Sequence, residues 1–226
     1  MVSDDKRVRI ITGNYGSGKT EFAVNYAVKL RQSAERKVVL ADMDVVNVYF
    51  RPRDRRRELR EMGVTVISSS IPERSNTDVP ALSGGTEAAV RDGSCEVIID
   101  LGGNSVGINA LGRIKPLLDP EETEFFMVIN ANRPDTYDVR GILRQKEDLE
   151  ESAGLKVTGF INNTNLIRQT ALETMARGNE IIGEASRRAN VPVRYVSYIE
   201  ELISVPEGRF FGELFPMKLY MRQEWM

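Results

Sequence analysis

The 226-residue sequence contains no histidine and a single cysteine, Cys95. The absence of histidine excludes imidazole acid–base catalysis and His-ligated metal sites. One cysteine forms no disulfide within the chain, so we expect a reducing, cytoplasmic location. No apolar run approaches the roughly 20 residues that span a bilayer. The charged start "MVSDDKR" does not resemble a secretory signal.

The sequence also lacks a strong charge of either sign. It has 31 Lys and Arg against 33 Asp and Glu, a formal net charge of −2. A nucleic-acid ligand is therefore left open through a local basic patch but is not favoured. The length suffices for one α/β domain with a full core and is short for two, so we predict a single domain over residues 1–226.

Strand-like and helix-like patterns alternate along the whole chain. The runs "VVLA", "VIID" and "FFMVI" are almost continuously apolar, which is typical of strands buried on both faces. This alternation predicts an α/β fold of three layers, α/β/α, with a mainly parallel sheet of about seven strands. The aromatic tail "GRFFGELFPMKLYMRQEWM" is predicted as an irregular segment that packs on the core, with an exposed partner patch as the alternative.

The segment "GNYGSGKT" follows the first predicted strand and opens the first predicted helix. It matches the phosphate-loop (P-loop) pattern G-x-x-x-x-G-K-[ST], in which backbone N–H groups surround phosphate oxygens. Lys19 would contact the β- and γ-phosphates, and the Thr20 hydroxyl would bind Mg²⁺. The nucleotide-binding residues predicted in and next to this loop are Gly13, Asn14, Tyr15, Gly16, Ser17, Gly18, Lys19, Thr20 and Glu21.

Aspartates follow two other predicted strands. Asp100 ends "EVIID" and begins the pattern D-x-x-G, whose glycine is Gly103. Asp42 and Asp44 follow "VVLA" and alternate with a methionine, so both carboxylates can share one side of an extended segment. Asp100 and Asp42 would hold Mg²⁺ through water, and Asp44 would also orient or deprotonate the attacking water. The predicted metal site thus consists of Thr20, Asp42, Asp44 and Asp100, with Lys19 and Asp44 as catalytic residues.

Together, "GNYGSGKT", "ADMD", "IIDLGG" and "INNTN" resemble the SIMIBI class of P-loop NTPases. That class includes the MinD/ParA ATPases, the nitrogenase iron protein, dethiobiotin synthetase and the metallocentre GTPases of hydrogenase and urease maturation. The overall character looks most like the CobQ/CobB/MinD/ParA nucleotide-binding domains. The resemblance implies that Asp44 belongs to switch I and that Asp100 and Gly103 form switch II, the segments that respond to the γ-phosphate.

Two departures from the class patterns limit what the resemblance implies. MinD/ParA loops carry a lysine that reaches the partner's nucleotide, and this chain has the uncharged Asn14 there. A homodimer is therefore left open rather than implied. The cluster cysteines of the iron protein are also missing, since Cys95 is the only cysteine. We accordingly expect ATP or ADP and Mg²⁺ as cofactors, and no iron–sulfur cluster.

The stretch "NNTN" stands where guanine-specific members carry N-K-x-D. Their aspartate accepts two hydrogen bonds from guanine, whereas the amide of Asn165 offers one acceptor and one donor group. The mismatch would cost on the order of 1–3 kcal/mol with guanine, so ATP is favoured. Asn162, Asn163 and Asn165 are predicted to contact the nucleotide. The alternative is that "NNTN" is a polar turn before a helix.

The segment "RPRDRRRELR" holds six arginines in residues 51–60. It is either a nucleotide-dependent docking surface or a solvated helix with acid–arginine pairs at i,i+3 and i,i+4. The residues just before it, Asn47, Tyr49, Phe50 and Arg51, occupy the place of a substrate- or partner-reading switch loop.

Three functions remain open from the sequence. The first is a slow ATPase that acts as a nucleotide-dependent switch on an unknown protein partner. The second is a small-molecule or polynucleotide kinase or ligase of the same class, whose acceptor pocket would lie between residues 45–60 and 75–86; a GTPase related to metallocentre-maturation proteins is a further alternative. The third is a binding module with a degenerate ATPase. Intact nucleotide motifs favour the first.

Overall fold

A computed structural model describes residues 2–44, 52–68 and 84–221 of the chain. The predicted switch residues Asn47, Tyr49, Phe50 and Arg51 lie outside these ranges, as does much of the acceptor region predicted for a kinase. In the described part, none of the helices combines the length and apolar character needed to cross a membrane.

Within the described residues, eight strands form one sheet, and every neighbouring pair of strands is parallel. The strand order is β3-β2-β4-β1-β5-β6-β7-β8. The strands are β1 Val8–Thr12, β2 Lys37–Met43, β3 Val64–Ser68, β4 Cys95–Leu101, β5 Thr123–Ile129, β6 Gly159–Asn162, β7 Val193–Ile199 and β8 Glu213–Met217.

Helices cover both faces of this sheet. In the described ranges they are α1 Lys19–Ser33, α2 Arg56–Glu61, α3 Gly84–Arg91, α4 Ser105–Asn109, α5 Val139–Ala153 and α6 Leu172–Ala189. Side chains alternate between the two faces along each strand. Ile98 therefore joins the core formed with α1, whereas Ile99 joins the core formed with α5 and α6. The predicted three-layer α/β/α fold is confirmed.

The aromatic tail differs from its prediction, because part of it forms the eighth strand. β8 pairs with β7 in parallel, and Phe215 and Met217 are buried in the α1 core. Pro216 lacks a backbone N–H and is tolerated because β8 is an edge strand. Phe215, Met217 and Met221 of the tail thus belong to the core, whereas Phe211, which precedes β8, is 54% exposed.

A buried cluster of polar side chains links the N-terminal segment to the sheet at the end opposite the P-loop. The buried Asp5 carboxylate accepts hydrogen bonds from the hydroxyls of Tyr26 and Tyr195, each at 2.6 Å, and from Arg194 Nε at 2.7 Å. These bonds join the N-terminal segment to α1 and β7. They satisfy a buried charge that would be costly alone, and they leave the other end of the sheet free for a ligand.

Candidate functional site

The P-loop connects β1 to α1 at the carboxyl end of the sheet, where ligands bind in parallel α/β folds. Gly16 and Gly18 have φ values of 77° and 84°, which side-chain-bearing residues rarely adopt. The Ser17 N–H donates to the Asn14 carbonyl at 3.0 Å and closes the turn. The sequence thus folds into a tight loop that runs directly into the positive end of α1, as anion binding requires.

Two side chains hold the P-loop from outside. Asn163 Nδ2 donates to the Ser17 carbonyl at 2.7 Å, and Arg133 Nε donates to the Gly16 carbonyl at 3.0 Å. A Cβ atom at Gly18 would overlap Asn163, so this close approach requires glycine. Because these carbonyls are engaged by neighbours, the peptide orientation that presents loop N–H groups to an anion is fixed.

Asn14 and Tyr15 lie at the tip of the loop. Asn14 Nδ2 donates to Asp135 Oδ2 at 2.7 Å, and its Oδ1 accepts from the Tyr15 N–H at 3.1 Å. The Tyr15 side chain is 76% exposed. Asn14 therefore faces the loop after β5 within its own chain.

Lys19 lies within a cluster of three buried aspartates. Its Nζ atom is 2.7 Å from Asp44 Oδ2, and both side chains are almost completely buried. Burial lowers the pKa of Lys19, but the carboxylates of Asp100, Asp44 and Asp42 outweigh that effect and raise it. Lys19 is therefore charged, and an ammonium group has three donor positions, so phosphate oxygens can bind beside Asp44.

Asp100 and Asp42 stand side by side on neighbouring strands. They are register partners in the parallel β2–β4 ladder, and Asp100 also aligns with Ile11 just before the P-loop. Arg53 Nε lies 3.4 Å from Asp42 Oδ2. Three strands thus bring the predicted acidic residues to the start of α1, as the shared sheet edge requires.

Asp100 is the most perturbed of these groups. It is fully buried, and the Thr20 hydroxyl approaches its carboxylate without meeting full hydrogen-bond geometry. Burial raises the pKa of Asp100 to about 7, while Lys19 and Thr20 act in the opposite direction and Asp42 and Asp44 add to the rise. A buried carboxylate next to a P-loop and its threonine is the arrangement expected of a group that serves a cation or its water shell.

The donor set fits Mg²⁺, which prefers oxygen ligands and retains several waters. Among the described residues, no group of three Cys, Asp or Glu side chains is arranged to hold a metal by itself. Asp100 and the nearly buried Thr20 hydroxyl would therefore share the cation with phosphate oxygens and water. The assignment of Thr20, Asp42, Asp44 and Asp100 to a metal site stays a prediction.

Gly103 lies directly against the P-loop. A Cβ atom there would overlap the Gly13 carbonyl and approach the Asn14 nitrogen at 3.1 Å. Gly102 is similarly close to Asp44, whose Oδ1 would be 3.0 Å from an added Cβ. The D-x-x-G segment is therefore in contact with both the phosphate loop and the predicted catalytic aspartate, which suits a switch that senses the γ-phosphate.

A cavity of about 80 Å³ extends from Gly16 and Gly18 towards β6, β7 and β8. Asn163 and Asn165 line it, together with apolar residues that include Ile199 and Leu202. Its volume lies below the roughly 300–1,000 Å³ of small-molecule sites, so it is the mixed lining and the place beside α1, not the size, that suggest a nucleobase. We therefore treat this cavity as the candidate base site.

The three predicted asparagines have different surroundings. Asn163 binds the P-loop as described. Asn165 Nδ2 donates to the Asn163 carbonyl at 2.7 Å, and its Oδ1 accepts from the Ile167 N–H at 3.1 Å. Asn162 is buried, and its Oδ1 accepts from the Thr164 N–H at 3.0 Å. Local turn bonds thus engage the amides of Asn162 and Asn165, which the polar-turn alternative describes, while Asn165 still borders the cavity.

Glu21 also borders this cavity and connects it to the tail. Its Oε1 accepts from the Tyr220 N–H at 2.7 Å, and the Met221 N–H donates to the same carboxylate. Further along α1, Asn25 exchanges hydrogen bonds with the backbone of Lys218. The first turns of α1 therefore fix the segment that follows β8.

Sequence reasoning missed Arg133 and Asp135, which follow β5 and contact the P-loop. Their stretch, "NANRPDT", carries no known nucleotide motif. The position of this stretch could have identified these residues. It follows β5, the neighbour of β1, so it lies at the same carboxyl edge of the sheet as the P-loop.

The arginine-rich segment forms a short helix with the predicted pairs. Arg55 Nη1 lies 2.8 Å from Glu58 Oε1 at i,i+3, and Arg57 Nε lies 3.1 Å from Glu61 Oε1 at i,i+4. This agrees with the solvated-helix interpretation, although Arg53 faces Asp42 at the site. A docking role for residues 51–60 stays a prediction.

We expect Asp100→Asn to stabilise the protein at high pH. In the folded chain the raised pKa keeps Asp100 protonated up to a higher pH than in the unfolded chain. The contribution of Asp100 to the free energy of unfolding is therefore fully present below about pH 4 and is lost as the pH rises through about 7. Asparagine has no such loss, and the variant should gain a few kcal/mol relative to the natural chain at pH 8. Urea unfolding from pH 5 to 8 measures this, and parallel pH profiles for both proteins would contradict it.

The chain resembles solved structures of signal recognition particle receptors. It aligns with FtsY from Thermotoga maritima at TM-score 0.57 and 21% identity, over 89% of this chain and 65% of that one. FtsY from Elizabethkingia anophelis, in complex with GDP, aligns at TM-score 0.57 and 20% identity, over 89% and 61% of the respective chains. The chain spans 59–65% of the length of the first FtsY structures it matches.

A third neighbour is a nucleotide-binding protein from Archaeoglobus fulgidus in complex with ADP, at TM-score 0.50 and 13% identity, over 87% of this chain and 84% of that one. No protein-family model matches the sequence, and no curated protein matches it. At these identities the likeness establishes a shared fold. The FtsY proteins belong to the SIMIBI class, so the fold agrees with the class that the motifs resemble.

Proposed function

We propose that this protein is a Mg²⁺-dependent P-loop NTPase, most simply a slow ATPase that acts as a nucleotide-dependent switch on a protein partner. The observation that carries the proposal is the buried group of Lys19, Asp44 and Asp100 beside a glycine loop at a helix N-terminus. Neighbours of the same fold solved with GDP and with ADP support nucleotide binding.

In this proposal, loop N–H groups and Lys19 bind the phosphates and neutralise charge that develops on the γ-phosphate. Bound Mg²⁺ would supply positive charge that offsets the charge of the phosphates. Thr20 and Asp100 would hold the metal shell, and Asp44 would orient the attacking water from its buried position. Gly103, packed on the P-loop, transmits loss of the γ-phosphate to the segment that follows it.

ATP is the proposed nucleotide. Asn165 borders the candidate base site with an amide that already accepts one bond and donates another. It lacks the second acceptor oxygen through which a carboxylate pairs with guanine. GTP is the second candidate, favoured by the GDP complex of a structural neighbour.

A kinase or ligase of the same fold remains the alternative reaction. The region where the sequence placed its acceptor site lies largely outside the described residues. A different large cavity borders Asn14 and Gly103, and an acceptor there would lie beside the predicted γ-phosphate position. We propose a cytoplasmic location, as the sequence suggests, and leave a homodimer open.

We expect Asp44→Asn to lower ATP turnover at least 100-fold with little change in ATP affinity. An amide keeps the size of the side chain but removes the base that attracts a proton of the attacking water. General-base catalysis of this kind contributes roughly 10²–10⁴-fold to the rate. Steady-state phosphate release and nucleotide titration measure the two quantities. Asp119→Asn, at an exposed turn, is the matched control, and unchanged turnover in Asp44→Asn would contradict the assignment.

A further inference from the structure

A cavity of about 690 Å³ opens between the P-loop and α5. Asn14 and Gly103 line one side, and α5 lines the other, with Ile108 and Leu149 among the apolar residues. This volume falls in the range of small-molecule sites, roughly 300–1,000 Å³. The cavity is separate from the candidate base site, and the proposed nucleotide chemistry gives no role to any residue of α5.

Gln145 is an unexplained polar residue in the cavity wall. Its side chain is 8% exposed, and neither its amide nitrogen nor its amide oxygen has a hydrogen-bond partner in the described part of the chain. Buried amides are normally satisfied, because an unpaired donor and acceptor are costly. Because these amide atoms are themselves shielded, the Gln145 side chain would have to rotate towards the cavity for a ligand there to supply both missing partners.

Three charged side chains of the cavity lining near Gln145 have no ion-pair or hydrogen-bond partner among the described residues. Arg144 and Asp148 lie one turn apart on α5, at i and i+4, and Glu151 follows; none forms an ion pair or hydrogen bond with a described residue. The other two acids of the lining are engaged, since Asp135 accepts from Asn14 and Asp138 caps α5 by accepting from the Gly141 N–H at 2.8 Å.

We propose that this cavity binds a basic amino acid or a closely related diamino acid. The ligand's carboxylate would pair with Arg144, its ammonium groups with Asp148 and Glu151, and its polar atoms with the Gln145 amide. One unpaired cation and two unpaired anions complement a ligand with one negative and two positive groups. The inference goes beyond the proposed nucleotide function and does not depend on which nucleotide binds.

The test uses the full chain and saturation-transfer NMR with L-lysine, 1,5-diaminopentane and L-glutamate as probes. L-lysine should bind, the diamine should bind more weakly because it lacks the carboxylate, and L-glutamate should not compete. Measuring without nucleotide first, and then with Mg·ADP, separates this result from the nucleotide proposal. If the chain bound ATP normally but gave no L-lysine signal, the cavity proposal alone would fail.

Variants then locate the binding site. Arg144→Gln should weaken L-lysine binding about tenfold but leave the diamine unaffected, whereas Asp148→Asn should weaken both probes. Both side chains are exposed, so the fold should tolerate these changes. Glu147→Gln, exposed on the same helix and outside the cavity lining, is the control. Equal weakening in Glu147→Gln, or none in Arg144→Gln and Asp148→Asn, would overturn the assignment.

Discussion

Lys19→Ala is expected to lower ATP affinity at least 100-fold. The ammonium group lies at the first turn of α1, within the buried aspartate cluster, and would donate charge-assisted hydrogen bonds to the β- and γ-phosphates. Bonds to charged groups contribute about 1.5–3 kcal/mol each, and two of them account for a loss of this size. Isothermal titration with Mg·ATP measures the affinity of the variant and the natural chain.

The control for this variant must separate lost binding from lost folding. Removing Lys19 leaves three carboxylates without their ammonium partner, and breaking a buried ion pair costs about 3–5 kcal/mol. The double variant Lys19→Ala with Asp44→Asn removes one of these charges and should recover stability without recovering ATP binding. Lys37→Ala, exposed at the far end of β2, should bind normally. Tight ATP binding by a folded Lys19→Ala protein would refute the P-loop assignment.

Gly103→Ala is expected to lower ATP turnover at least tenfold and to destabilise the protein. The added methyl group would overlap the Gly13 carbonyl, so the D-x-x-G segment and the P-loop must separate. Overpacking of this kind costs about 1–3 kcal/mol. The same separation moves Asp100 and Asp44 relative to the phosphate position, where small displacements reduce rates strongly.

Gly112→Ala is the matched control for Gly103→Ala. No heavy atom lies within 4 Å of a Cβ at Gly112, and its φ is outside the left-handed region. Such a substitution is neutral or stabilises by about 0.4–1 kcal/mol through the unfolded chain. Thermal unfolding and phosphate release should therefore distinguish the two variants. Equal behaviour would show that Gly103 does not set the spacing between switch II and the P-loop.

Much of the fold could be predicted from sequence because buried parallel strands carry a strong pattern. The runs around Leu40, Ile98 and Val128 are apolar on both faces, and each forms a central strand. β8 escaped prediction because it contains Pro216 and directly follows Gly212, features that usually argue against a strand. Only pairing with β7 reveals it.

The site was predictable where chemistry depends on local spacing. Lys19, Thr20 and Asp100 belong to contiguous patterns, and the sheet brings them together as expected. The contact that Asn14 makes depends on a long-range partner, Asp135, whose proximity no single-sequence pattern encodes. The burial that perturbs Asp100 likewise arises only when three strands and α1 have packed.

We expect this P-loop to bind a nucleoside triphosphate together with Mg²⁺, and ATP in preference to GTP. Titrating ATP and GTP into the natural chain, each with and without Mg²⁺, tests this most directly. ATP binding should weaken at least tenfold without Mg²⁺ and exceed GTP binding by about tenfold, as a mismatch of about 1–3 kcal/mol requires. Binding of neither nucleotide would contradict nucleotide binding, and tighter binding of GTP than of ATP would contradict the preference for ATP.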